Sequence, residues 1–251
     1  MMRDGRVYSE DRGGDSIREC ARNIESSVSV IINTVEKVRE DVLRLWQQAL
    51  RRRRHVTRRD LAELQETVKR LLSEADVQIN GAGFVVAPDV LADARLHLEW
   101  WREGVKPGHV IPLKVNLDEE GNTFYDYPNM PWFHKPQAEG VGHVIGPYVD
   151  IMGIDMYIFT FSLPIVYDDR FLGIAGADVP VGNLEAVVTR HLVEQNHPLV
   201  LVNDDMRVIA SNSSEYLVGE FFKPYAYSGS QSRFYITLDH SVESWRLVCL
   251  H

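Results

Sequence analysis

Twelve consecutive residues, YDYPNMPWFHKP from Tyr125 to Pro136, carry four aromatic rings, three prolines, one aspartate and one histidine. Ring faces attract cations, by about 0.5–2 kcal/mol each as desolvation increases, and a carboxylate adds a charge-assisted hydrogen bond to an ammonium. The stretch is too aromatic for an ordinary solvent loop. Its prolines predict a loop and not a helix, because each removes a backbone donor and fixes φ.

Catalytic chemistry has little to build on. Ser162, His143 and Asp178 can be assembled on paper, but Ser162 lies mid-strand in TFSLP and no GxSxG elbow occurs. The glycines of GIAGADVPVG lack the GxGxxG spacing that opens a nucleotide-binding helix, and HExxH, CxxC and a Walker lysine do not occur. DEEGN at 118–122 and NDD at 203–205 read as turn chemistry, since neither offers a full calcium ligand set. Cys20 and Cys249 sit at opposite ends without metal-ligand spacing and are expected to be buried, reduced thiols. No enzymatic activity, metal or cofactor is expected.

The elements that must position these residues fall in three blocks. Apolar or small residues at Ile17, Ala21, Ile24, Val28, Ile31, Val35, Val38, Val42, Leu45 and Ala49 alternate steps of four and three, a heptad seam along a helix from Asp15 to Leu50. That seam either pairs with a second copy or packs on the chain's own sheet; a homodimer through the N-terminal helices is the expectation. The basic run RRRRHVTRR ends this helix, and Thr57 with Asp60 opens a second amphipathic helix through Leu61, Leu64, Val68 and Leu71 to about Glu74. RRDLAEL has no recognition helix behind it, so nucleic-acid binding is not expected. After Asp76 the pattern turns to short Val-, Ile- and aromatic-rich strands bounded by Gly, Pro and Asp. A long hairpin turns at Tyr167–Arg170, a helix follows to His191, a second hairpin turns at Asn203–Asp205, and RFYITLDH and WRLVCLH finish a small second sheet. Long helix, sheet, helix, small sheet is an α+β arrangement. The expected divisions are residues 1–75, helical with 1–14 disordered; 76–191, the main antiparallel-sheet module; and 192–251, a smaller one.

Composition agrees with an ordinary folded protein: 251 residues, 45% hydrophobic and 25% charged. Residues 1–75 carry a net charge of +3 and the remainder −12. An acidic body argues against a broad nucleic-acid surface. No run of eighteen apolar residues occurs and the start is too polar for a signal peptide, so a cytoplasmic location without membrane association is expected.

The succession PWF, GPYVD, TFSLPI, FLGIAGADV, a helix, then LVLVNDDMRVIASNSSEYLVGE resembles the Cache sensor domain in its double-module form. The resemblance covers roughly residues 75–251. It implies a long N-terminal helix, a distal PAS-like ligand-binding module and a smaller second module, in a ligand sensor without catalytic activity. Relatives are mostly extracytoplasmic domains flanked by membrane helices and followed by a signalling module; here a free-standing sensor acting through a partner protein is expected.

By the same resemblance, amino-acid-binding members place an arginine two positions before the tryptophan to clamp the ligand carboxylate, a tyrosine just after it, and an aspartate at the end of the GxxGxD strand to take the ammonium. Trp132 and Asp178 match; Met130 and Phe133 stand in the arginine and tyrosine places. A thioether cannot replace a guanidinium fork. What remains is Asp178 among Trp132, Phe133, Tyr125, Tyr127 and Tyr148, with Asp150 of GPYVD beside them. That set suits a small amine or amino-acid-like ligand. His134 or Lys135 could meet a carboxylate from another angle, which keeps an organic acid, or an amino acid in a different pose, as an alternative; a structural dimer without ligand is a third. Each residue also has a plainer role: Trp132 and Phe133 as core, Asp178 as a cap for the following helix, Tyr148 and Asp150 as turn formers after Pro147. Trp100 and Trp101, adjacent on a strand, face opposite sides, so at most one points into the pocket.

Overall fold

Helix α1 runs from Glu10 to Arg52. In the computed structural model the described residues are 10–52, 55–74, 79–104, 106, 109–151, 153–223, 235–239 and 244–250. The expectation of disorder over residues 1–9, and Arg53 and Arg54 of the basic run, lie outside them. Residues 10–14 are helical, so α1 starts five residues before the expected Asp15. At 43 residues it is about 64 Å long.

The seam is legible, but its partner is the chain itself. Every seam residue from Ile17 to Ala49 is at most 5% exposed. Cys20, Ile32, Thr34 and Trp46, each beside a seam position, are buried as well. A stripe that wide is the apolar face of a helix lying on its own domain, broader than the a/d line of a coiled coil. These side chains are covered within one chain, so the seam itself does not call for the second copy expected there.

The second helix breaks in two. Helix α2, Arg58–Leu61, begins where Thr57 N–H donates to Asp60 Oδ2 at 2.9 Å. Helix α3, Leu64–Glu74, buries Leu64, Val68 and Leu71 and is tied to α1 by Thr67 Oγ1 donating to Asp41 at 2.7 Å.

Two compact units emerge, one built on Val28–Leu184 and the other on residues up to Ser27 together with Glu185–His240 and Ser244–His251. The first holds six antiparallel strands: β1 Gly81–Val86, β2 His97–Glu103, β3 Val110–Pro112, β4 His143–Val149, β5 Tyr157–Tyr167 and β6 Arg170–Pro180, in the order β3-β2-β1-β6-β5-β4. The β5–β6 hairpin turns on Asp168 and Asp169, at φ 51° and 58°, the left-handed pair that a two-residue turn between twisted strands requires. Helix α3 packs on β1 and β2 from one side of this sheet. Helix α4, Pro131–Glu139, packs against β4, β5 and β6.

Helix α5, Val181–Leu192, leaves β6 directly. The second unit's sheet has β7 Leu199–Val202, β8 Val208–Ser211, β9 Tyr235–Asp239 and β10 Ser244–Cys249 in the order β8-β7-β10-β9. Its β7–β8 turn is closed by Arg207 N–H donating to Asn203 Oδ1 at 2.8 Å. Cys20 and Cys249 are both buried and neither is in a disulfide. Among the described residues no helix is long and apolar enough to cross a membrane. The fold is the α+β arrangement expected, a long N-terminal helix followed by two antiparallel sheets.

Candidate functional site

Strand register decides which side chains meet. Thr160 on β5 lies opposite Asp178 on β6, and Gly81 on β1 lies opposite Asp178 on its other side. Because side chains alternate across a strand, Val85, Leu98, Trp100, Thr160 and Asp178 share one face of the sheet. Glycine clears the floor for the large ring: a Cβ at Gly81 would lie 2.8 Å from Trp100 Nε1, and one at Gly176 2.9 Å from Trp100 Cη2. The indole of Trp100 therefore lies against bare backbone, as a side chain at either position would forbid.

The segment from Tyr125 to Pro136 covers this face, and it does so as a helix. Tyr127–Asn129 makes a single 3-10 turn, and Pro131 opens α4. The loop expected from the proline density is corrected here. Pro128 falls within the first turn of its 3-10 helix and Pro131 at the first position of α4, where no N–H is needed and the fixed φ is already helical. Only Pro136 forfeits a bond, and α4 ends one turn later at Gly140, whose φ of 70° closes it as Gly140 N–H donates to Pro136 O at 3.0 Å. Trp132, Phe133 and Pro136 form the buried face of α4.

Between the helix and the sheet lies a cavity of about 20 Å³, lined by Val85, Leu98, Trp100, Leu113, Tyr125, Trp132, Tyr148, Asp150, Thr160 and Asp178. That is room for about one water molecule between the side chains as they stand. Five of the residues singled out in the sequence thus line one cavity: Asp178, Trp132, Tyr125, Tyr148 and Asp150. Trp132 lies over Tyr125 in a stacked arrangement, ring centroids 6.5 Å apart.

Four others do not line it. Phe133 is fully buried in the aromatic core, edge-on to Tyr127 at 5.2 Å and to Phe171 at 5.6 Å. Tyr127 is an anchor: its hydroxyl donates to Val86 O at 2.6 Å and accepts from His97 N–H at 3.2 Å, and burial pushes its pKa up to about 12. Met130 is half-buried against the same aromatic cluster, and its carbonyl accepts the first amides of α4. His134 is exposed on the outer face of α4, about 200° around the helix axis from Trp132. The helix explains the division, since Trp132 and Phe133 diverge by about 100° around its axis. Four residues the sequence did not mark, Thr160, Val85, Leu98 and Leu113, line the cavity, and Trp100 is the one of its tryptophan pair that does. Trp101 faces the other way, under Lys69 Nζ at 5.0 Å from its ring.

Two carboxyl groups sit in this cavity, both almost removed from water: Asp178 is 5% exposed and Asp150 7%. Asp178 Oδ1 accepts from Thr160 Oγ1 at 2.7 Å. Burial pushes its pKa up to about 7, the Asp150 charge adds to the rise, and the Thr160 hydrogen bond opposes it. Trp100 Nε1–H makes no hydrogen bond of normal geometry but lies close enough to Asp178 to favour the ionised form. The pKa of Asp150 is also raised by burial, against donation from Ile154 N–H at 3.0 Å and the nearby Tyr125 hydroxyl, both of which favour the ionised form. Asp150 shapes the chain reversal between β4 and β5, and Gly153 is required beside it: a Cβ there would lie 2.0 Å from Asp150 Oδ2. The tyrosyl pKa values of Tyr125 and Tyr148 are driven up by burial and by the carboxyl groups around them. No lysine, arginine or histidine belongs to the lining among the described residues.

The serine, histidine and aspartate considered as a triad do not form one. Ser162 Oγ donates to the His143 carbonyl at 3.3 Å, His143 Nε2 faces Glu139 at 3.3 Å, and Asp178 is engaged with Thr160.

Residues 112–186, which include α4 and strands β4 to β6, match the family of methyl-accepting chemotaxis protein-like proteins, first PDC sensor domain. No curated protein matches the chain. Among solved structures, a protein described as methyl-accepting chemotaxis protein X is 16% identical with a TM-score of 0.67, over 96% of each chain. The ligand-binding domain of the Campylobacter jejuni chemoreceptor Tlp3, solved with L-valine, is 15% identical with a TM-score of 0.61 over 95% of this chain and 90% of that one. The ligand-binding domain of the Pseudomonas aeruginosa amino-acid chemoreceptor PctC, solved with GABA, is 19% identical with a TM-score of 0.57 over 93% and 95%. Identities this low speak to the fold alone: the chain shares the fold of these chemoreceptor domains, and its residues 112–186 are similar to a first PDC sensor domain.

Proposed function

We propose that this protein is a ligand sensor whose cavity between α4 and the six-stranded sheet takes a small amine or amino-acid-like metabolite, and which signals through a partner protein without catalysing a reaction. One observation carries the reading: two buried carboxyl groups and the rings of Tyr125, Trp132 and Trp100 line the cavity with no basic side chain among them. A buried acid without a cation is costly, and an ammonium supplies the missing partner with three donors. L-valine and GABA, the ligands of the Tlp3 and PctC structures, both bring an ammonium group. A small organic acid is disfavoured by the same lining, because Lys135 and His134 are not part of it. Ligand contact with Trp132 would act on α4, the element that covers the cavity, and so reach the surface.

A thermal-shift screen at pH 8 with matched amines, amino acids and carboxylates tests this, since whatever binds only the folded state raises Tm by mass action. An amine or amino acid that raises Tm supports the reading. Shifts with carboxylates alone would replace it with an acid sensor, and no shift with any compound would favour a structural role.

A further inference from the structure

Three hydroxyl groups reach the cavity, those of Tyr125, Tyr148 and Thr160. Each has one hydrogen to give. Thr160 Oγ1 gives its hydrogen to Asp178 Oδ1 at 2.7 Å. The second 2.7 Å contact of Thr160 Oγ1, with Tyr148 Oη, must then be a donation from the tyrosine. The Tyr125 hydroxyl lies near Asp150 and helps to hold its carboxyl ionised. The hydroxyl hydrogens of Thr160 and Tyr148 are committed inside the lining, and these two hydroxyls turn only lone pairs toward the cavity. Trp100 Nε1–H makes no hydrogen bond of normal geometry.

We propose that Thr160 is the specificity-determining residue of this cavity: as the middle link of the chain Tyr148 to Thr160 to Asp178 it fixes the direction of both hydroxyl hydrogens, so that the hydroxyl and carboxyl groups can only accept. Ligands that bring donors are admitted, and carboxylates, which bring only acceptors, are refused. This rests on the amine reading and states what enforces it. Thr160 is suited to the task because it is 2% exposed and sits mid-strand on β5, held by the ladder on both sides. The chain has a direction only while Asp178 is ionised. When Asp178 takes up a proton it can donate to Thr160, Thr160 to Tyr148, and the Tyr148 hydrogen is released toward the cavity. The groups that bear on Asp178 are Thr160 from β5, Tyr148 and Asp150 from β4 and its end, Trp100 from β2, and Tyr125 from the segment before α4.

The test uses ligand-free protein labelled with [13C]aspartate, following the Asp178 carboxyl resonance through a pH titration. Loss of a donor to the ionised carboxylate in Thr160→Val should move the Asp178 midpoint upward by about one pH unit, a tenfold gain in proton affinity. Thr160→Ser should restore it, Tyr148→Phe should raise it by less, and the Asp150 midpoint should stay in place in all three. A Thr160→Val titration that overlays the wild type, a Thr160→Ser protein that behaves like Thr160→Val, or a Tyr148→Phe protein with no shift would each overturn the chain. n-Butyrate in saturation-transfer NMR at pH 8 is expected to show no transfer from the wild-type cavity; transfer there would overturn the exclusion of carboxylates. Because the titration needs no ligand, its failure is separate from a failure of the amine reading, which the thermal-shift panel decides.

Discussion

Asparagine in place of Asp178 should make this protein more stable and unable to bind its ligand. The carboxyl group of Asp178 has an ordinary value of 3.8 and titrates in the fold at about 7. Between those values the unfolded chain has lost its proton while the folded chain keeps it. The unfolded state then binds fewer protons, so stability falls as pH rises from about 4 to about 7 and stays lower above that. About three pH units at 1.36 kcal/mol each set an upper bound of roughly 4 kcal/mol. Asp178→Asn keeps the shape and still accepts from Thr160, but carries no charge to desolvate. Its urea midpoint at pH 8 should exceed that of the wild type by the equivalent of about 2–4 kcal/mol, and the two proteins should converge near pH 4. Binding of any amine the wild type accepts should be lost. A less stable Asp178→Asn protein at pH 8, or one whose stability keeps the wild-type pH dependence, would refute the view that Asp178 is an uncompensated buried acid awaiting a cation.

Other substitutions separate cavity from core. Trp132→Leu keeps apolar bulk but loses the ring face, and amine affinity measured by calorimetry should fall about 5- to 30-fold, from about 1–2 kcal/mol of cation–π attraction. Phe133→Ala should instead cost about 3–5 kcal/mol of stability in urea while leaving the affinity of the folded protein nearly unchanged, because Phe133 lies in the core beside the cavity. Gly153→Ala places a methyl on the Asp150 carboxylate and should destabilise by about 1–3 kcal/mol, visible as a lower Tm. Amine affinity should fall about tenfold per pH unit below pH 7, with one proton released on binding, read as a buffer-dependent heat; a flat profile between pH 5 and 8 would exclude Asp178 as the counter-ion.

Much of the fold was legible because it rests on periodicity. The seam of α1 marked its buried face, and Asp168–Asp169 marked the hairpin turn, since these signals are local. What covers the α1 seam was not local: a heptad reads the same whether a second helix or the chain's own sheet lies against it, and the buried neighbours Ile32 and Trp46 show the wider stripe only in the fold. At the site, Asp178 and Trp132 were visible through motif resemblance, whereas Thr160 depends on strand register. Thr160 is one of two hydroxyl residues, with Ser162, inside the apolar run YIFTFSLPIV, and that was a signal for it, as a buried hydroxyl must find a partner. Tyr127 and Met130 precede α4 and pack in the aromatic core, while Phe133 and His134 lie off the cavity because α4 turns them away from the side that Trp132 presents. A loop lets neighbouring side chains share a cavity, and a helix turns them apart.

The most direct measurement is a crystal structure of the protein with the best amine from the panel. The expected result is density between Trp132 and the sheet, with the ligand nitrogen within hydrogen-bond distance of a carboxylate oxygen of Asp178 and no carboxylate of the ligand turned toward it. A ligand seated elsewhere on the molecule, or one whose acid group faces Asp178, would contradict the account.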